Sequence, residues 1–143
     1  MLKIFENSSL YNLQSSEYIK VLHNEAVKAD LVILLKMEID LQLELIEMLD
    51  KMVAALNLDS DKIEYLVFHN MIALSEIVNT FEAQNVLVFG ATPNDLSLNM
   101  ELKIYTCYNF DSFKLLLVNE ILDVYGNKEL KSKLWNALKE MFS

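Results

Sequence analysis

What limits this chain most is a series of short apolar runs: "LVILL" (Leu31 to Leu35), "IEYLVF" (Ile63 to Phe68), "NVLVF" (Asn85 to Phe89) and "FKLLLV" (Phe113 to Val118). Each has the length of a strand, and runs this continuously apolar suit strands covered on both faces. A further strand is expected at "LKIYTCY" (Leu102 to Tyr108), joined to the last by the turn-forming Asn109 and Asp111.

Helical patterns separate the runs. The most regular covers Ile39 to Leu56, where Leu45, Leu49, Met52 and Leu56 recur at helical spacing with Ile46 and Val53 on the same face. Glu44, Glu47 and Asp50 lie off that stripe and read as a solvated face. A first helix is expected over Glu17 to Val27, capped by Ser15 or Ser16, and another over Met71 to Phe81. A short helix near Asn119 to Tyr125 and a break at Gly126-Asn127 precede a last one, Lys128 to Phe142, with Leu130, Leu134, Ala137, Leu138 and Met141 on one stripe. Strands alternating with helices indicate βαβ units. The expected fold is a three-layer α/β/α sandwich with a mostly parallel central sheet of four to five strands. It forms one domain over residues 15–143, with residues 1–14 as a loosely attached polar arm.

Two glycines and one proline in 143 residues argue against a loop-rich or all-β design, and 53% hydrophobic residues supply a full core. A net charge of −9 repels phosphate backbones and speaks against general affinity for nucleic acid or anionic membrane. One cysteine, Cys107, leaves no internal disulfide and no Cys-rich metal site. Glu6 interrupts the start of the chain, so no secretory signal is expected. No apolar run nears the roughly 18 residues of a membrane helix, which makes the cytoplasm the expected location.

No residue cluster in the chain proposes a reaction. Neither GxGxxG nor GxxxxGK[ST] occurs, so no phosphate cradle is expected. His23 and His69 are isolated, the first on a helix and the second at a strand end, and no metal or cofactor is expected. Cys107 reads as a buried structural thiol. Carboxylate pairs such as Glu38/Asp40 and Asp59/Asp61 are unremarkable among 21 acids. What stands out is "NVLVFGATPNDLSL", a buried strand running into a Gly-led turn, the usual ligand-holding place in α/β proteins.

Two regions resemble the uracil-DNA glycosylase superfamily, above all its compact bacterial members. Leu43 to Leu66 is similar to the family's Leu-Leu-Asp helix, Gly-Leu-Asp-like turn and following strand. From "VLVFGATPNDLSL" to "NKELKSKLWNALKEMF", Gly90-Ala91-Thr92 stand where the family has Leu-Gly-Ala-Thr-Ala, and Asn127, Leu130 and Trp135 where an Asn-Pro-Glu-like helix start leads to a Trp. The likeness covers roughly residues 30–142. Its departures concern the chemistry. "LLKMEID" (Leu34 to Asp40) lacks the family's Gly-rich loop, and "VNEIL" (Val118 to Leu122) replaces its catalytic His-Pro-Ser loop. In the family that histidine stabilises charge on the departing base, and Glu120 has the wrong sign for the task. Pro93 also replaces a small residue in the pocket turn.

The resemblance therefore implies a pocket remnant at Gly90, Ala91, Thr92, Asn119 and Glu120, with no catalytic residue. The superfamily's non-catalytic psi subunits of bacterial DNA polymerase III clamp-loader complexes have a similar size, and they bind protein partners through a flexible N-terminal arm and a folded body. That branch implies an adaptor whose partner is a clamp-loader or other replication subunit, with no strong direct nucleic-acid binding and no membrane. Tyr11, Phe110 and Phe113 are the candidate partner-binding aromatics. Two other readings stay open: a degenerate glycosylase-fold protein that binds a nucleobase or nucleotide without turnover, and a hydrolase using unrecognised carboxylates.

Overall fold

The computed structural model describes residues 19–21, 28–37 and 42–143. Its six strands are β1 (Ile19–Val21), β2 (Leu31–Lys36), β3 (Ile63–Phe68), β4 (Asn85–Phe89), β5 (Cys107–Asn109) and β6 (Lys114–Val118). They form one sheet in the order β1-β3-β2-β4-β6-β5. The four central strands are parallel, while β1 and β5 pair antiparallel on the two edges. The helices are α1 (Leu43–Ala55), α2 (Leu74–Phe81), α3 (Ile121–Tyr125) and α4 (Lys128–Met141), with short 3-10 turns at Ser60–Lys62 and Pro93–Leu96. Among these described residues no helix is long and apolar enough to cross a membrane.

The apolar runs are strands because both faces of the sheet are covered. Alternate residues point to opposite sides. Leu31, Ile33, Leu35, Tyr65, Leu87, Phe89, Leu116 and Val118 pack beneath α1, α3 and α4. Val32, Leu34, Leu66, Phe68, Val86, Val88, Leu115 and Leu117 face α2 and the Pro93 turn. This is a three-layer α/β/α arrangement, and each buried leucine or phenylalanine in it contributes roughly 1.5–3 kcal/mol. Among the described residues, Glu64 and Asn85 are the only buried polar side chains. Asn85 Nδ2 donates to the Asp30 carbonyl at 2.8 Å and ties the start of β4 to the start of β2.

The helix ends follow local chemistry. α1 buries Leu45, Leu49 and Val53, one turn apart, and Asn57 just beyond it turns left-handed at φ 60°. α2 stops at Glu82, also left-handed at φ 47°. Asn127 caps α4: its side-chain oxygen accepts from the N–H groups of Glu129 (2.9 Å) and Leu130 (3.1 Å). Asn127→Ala strands both donors and is expected to lower unfolding free energy by about 1 kcal/mol. Urea titration checks this, with the denaturant slope unchanged.

Four expectations are corrected. Residues Ile19–Val21 are a strand paired with β3, where a helix over Glu17 to Val27 was expected; the remainder of that segment lies outside the described residues. The strand expected at Leu102 to Tyr108 reduces to Cys107–Asn109. Upstream, Tyr105 adopts φ 60° and its N–H donates to the Leu117 carbonyl, which bends the chain out of strand geometry. β1 adds one edge strand to the five expected and brings the sheet to six. The helices expected from Ile39 and Met71 begin at Leu43 and Leu74.

Candidate functional site at the carboxyl edge of the sheet

The connections decide where a site can lie. From β2 the chain crosses through α1 on one face to β3, its neighbour on one side. From β3 it returns through α2 on the opposite face to β4, the neighbour of β2 on the other side. Right-handed crossovers in opposite directions require opposite faces. The chain therefore diverges beyond the carboxyl ends of the strands, and a crevice opens there. It measures about 480 Å³ and is lined by Lys36 at the end of β2 and Met37 just after it, His69 after β3, Gly90 after β4, and Glu120, Ile121 and Leu122 after β6.

Its polar groups are largely tied to one another. His69 Nδ1 lies 2.6 Å from the Met37 carbonyl oxygen, which only accepts, so Nδ1 carries a proton and donates. Met37 N–H in turn donates to the Phe68 carbonyl at 3.0 Å, lacing the exits of β2 and β3 together. Lys36 Nζ pairs with Asp95 Oδ2 at 3.0 Å. Asp95 Oδ2 also accepts from the Thr92 N–H (2.9 Å), while Thr92 Oγ1 accepts from the Asp95 N–H (3.3 Å). These reciprocal bonds are a capping box on the 3-10 turn, and Pro93 sits at its start, where a missing N–H does no harm.

Burial works to raise the Asp95 carboxyl, but the Thr92 N–H and then the Lys36 ammonium outweigh it and hold the group below the ordinary carboxylate value. A carboxyl depressed in the folded state adds stability above its unfolded pKa of about 3.9, and that stability is lost as pH falls through the lower folded value. Asp95→Asn is expected to destabilise the protein at neutral pH and to flatten the loss of stability below about pH 4. Urea midpoints measured at neutral pH and at about pH 3 test both halves.

Gly90 is required by its backbone. Its φ is +79°, and its N–H donates to the Val118 carbonyl at 3.0 Å. A Cβ at this position would stand 2.9 Å from Glu120 Cγ and 3.3 Å from Glu120 Cα. The turn after β4 and the turn after β6 are thus pressed together, and glycine permits that approach. Next to it, Asn119 Oδ1 accepts from the Tyr105 hydroxyl at 2.8 Å. Burial pushes the Tyr105 phenol up.

Of the sequence-derived pocket residues, Gly90 and Glu120 line the crevice. Ala91 is buried beside it, Thr92 serves as a cap, and Asn119 is bonded to Tyr105. Phe110 and Phe113 stack on each other with ring centroids 5.2 Å apart and pack half-buried against the α2 side of the core. Tyr11 lies outside the described residues. Lys36, Met37, Ile121 and Leu122 were not singled out by sequence, and His69 was read only as a strand end. The signal that finds them is positional: each is, or closely follows, the last residue of a parallel strand.

Cys107 stands half-buried on the edge strand β5, where burial pushes its thiol up against the opposing pull of Lys114. That disfavours the reactive thiolate. Among the described residues no group of three or more His, Cys, Asp or Glu could hold a metal ion. No protein-family model matches the chain, and no curated protein matches it either.

Proposed function

We propose that this protein is a non-catalytic interaction module with a uracil-DNA glycosylase-like fold, acting in the cytoplasm as a psi-like accessory subunit of a bacterial replicative clamp loader. The observation that carries this reading is Glu120. It stands at the exit of β6, where the resemblance puts the glycosylase histidine, and it is packed against Gly90. A carboxylate there opposes the negative charge that develops on a departing base. The cation nearest in sequence to β2's exit, Lys36, is engaged with Asp95. Meanwhile apolar side chains stay uncovered: Leu122, which lines the crevice, is 47% exposed, Tyr125 on the same helix is 42% exposed, and Leu43 at the start of α1, which packs on α3, is 65% exposed. Such surface marks a place for a partner.

Excess protein incubated with uracil-containing single-stranded DNA is expected to release no base. Release that changes with Glu120→Gln would end the reading. The size of the crevice favours one second reading, a nucleobase or nucleotide binder without turnover, because about 480 Å³ falls within the range of small-molecule pockets. A ligand confined to the folded state raises the melting temperature. A rise with a nucleobase or nucleotide that disappears on substituting Glu120 supports that reading, and no rise with any of them removes it.

A further inference from the structure

Away from the crevice, a groove of about 290 Å³ runs between α1 and α4, lined by Met48, Lys51, Met52, Ala55, Lys131 and Trp135. The α1 residues fall at i, i+3, i+4 and i+7, and the α4 pair is one turn apart. Core-type side chains are only half-covered here: Met48, Met52 and Trp135 are all partly exposed. One turn beyond Trp135, the Lys139 ammonium sits 5.8 Å from the indole centroid.

The charge of this face opposes that of the whole chain, which is −9. At about 100° per residue, Lys128, Lys131 and Lys139 fall within about 40° of Trp135, while Glu129 and Glu140 lie more than about 100° away round the helix. Lys51 faces them from α1. Glu44, one turn before Met48, reverses the sign at that end and gives the groove a direction. Methionines adapt to varied apolar surfaces, and tryptophan is a frequent interface hot spot.

We infer that the groove docks one acidic amphipathic helix of a partner protein. Apolar anchors seat on Met48, Met52 and Trp135, and flanking carboxylates meet Lys51, Lys131 and Lys139. This rests on the interaction-module reading and adds its surface and the partner's chemistry. Nucleic acid is disfavoured as the occupant, because the surrounding field is negative and all 12 cationic side chains are lysines, without the bidentate fork of arginine.

The test is a displayed library of helices of about five turns, with a fixed apolar stripe and randomised flanks, sorted against the full chain. Enrichment of Asp and Glu in the flanks is expected. Synthetic versions should blue-shift the emission of Trp135, the chain's one tryptophan. The Lys51→Glu/Lys131→Glu chain should bind them at least about tenfold more weakly, as should raised salt. Basic or charge-neutral flanks, equal binding by the charge-reversed chain, or unmoved Trp135 emission would overturn the assignment. So would the same emission shift with single-stranded DNA or on self-association of the chain. If the charge-reversed chain still captures the same host proteins as the wild type, the interaction reading stands and the groove does not.

Discussion

Gly90→Ala should destabilise the folded chain by about 2–4 kcal/mol, the sum of left-handed strain and overpacking. The strain follows from φ +79°, and the overpacking from a Cβ placed 2.9 Å from Glu120 Cγ and 3.3 Å from Glu120 Cα. The two contributions separate in a double-mutant cycle. Glu120→Ala removes the Cγ contact but leaves the Cα and the backbone angle, so it should recover about 1 kcal/mol of the loss in the Gly90→Ala background. Urea unfolding of the four chains gives the coupling directly. A Gly90→Ala chain as stable as the wild type would mean that the two turns are not pressed together, and that the glycine is spared for something approaching it from solvent.

Phe89→Ala should cost about 3–5 kcal/mol. The ring is fully buried at the end of β4, within the cluster formed with α1, α3 and α4. Against a total stability of about 5–15 kcal/mol, that loss is at least about a fifth of the whole and, at the low end of the range, nearly all of it. Phe110→Ala, by contrast, removes a half-buried ring and one stacked pair and should cost about 1–2 kcal/mol. Denaturation midpoints of the two variants rank them. Equal losses would place Phe110 in the core proper.

The central layers of this fold were legible because burial on two faces writes itself as continuous apolar sequence. Leu31–Leu35, Ile63–Phe68 and Asn85–Phe89 needed no partner information to be read as strands. The edge strands were legible only in part: β5 was expected, over longer bounds, and β1 was not. Three residues such as Cys107–Asn109 carry too little pattern, and Tyr105's left-handed turn depends on a hydrogen bond to Leu117 that no local signal announces. Ile19–Val21 sat inside a helical pattern and became a strand by pairing with β3.

The site divides in the same way. Gly90 was legible as the one glycine following a buried strand, and its close approach to Glu120 matches a part in the backbone route more than in ligand contact. Lys36 and His69 were missed as site residues because nothing local marks them. They reach the crevice only through the strand order, which a long-range crossover sets. The Pro93 turn, unusual as sequence, is a capped 3-10 turn whose Asp95 holds Lys36.

Affinity capture tests the interaction reading most directly. The tagged 143-residue chain is expressed at native level in its host, nuclease-treated, and its retained proteins are quantified by mass spectrometry. The expected result is a small set of replication subunits in near-stoichiometric amounts. A chain that retains nothing beyond the untagged control, and elutes alone as a monomer, would contradict it.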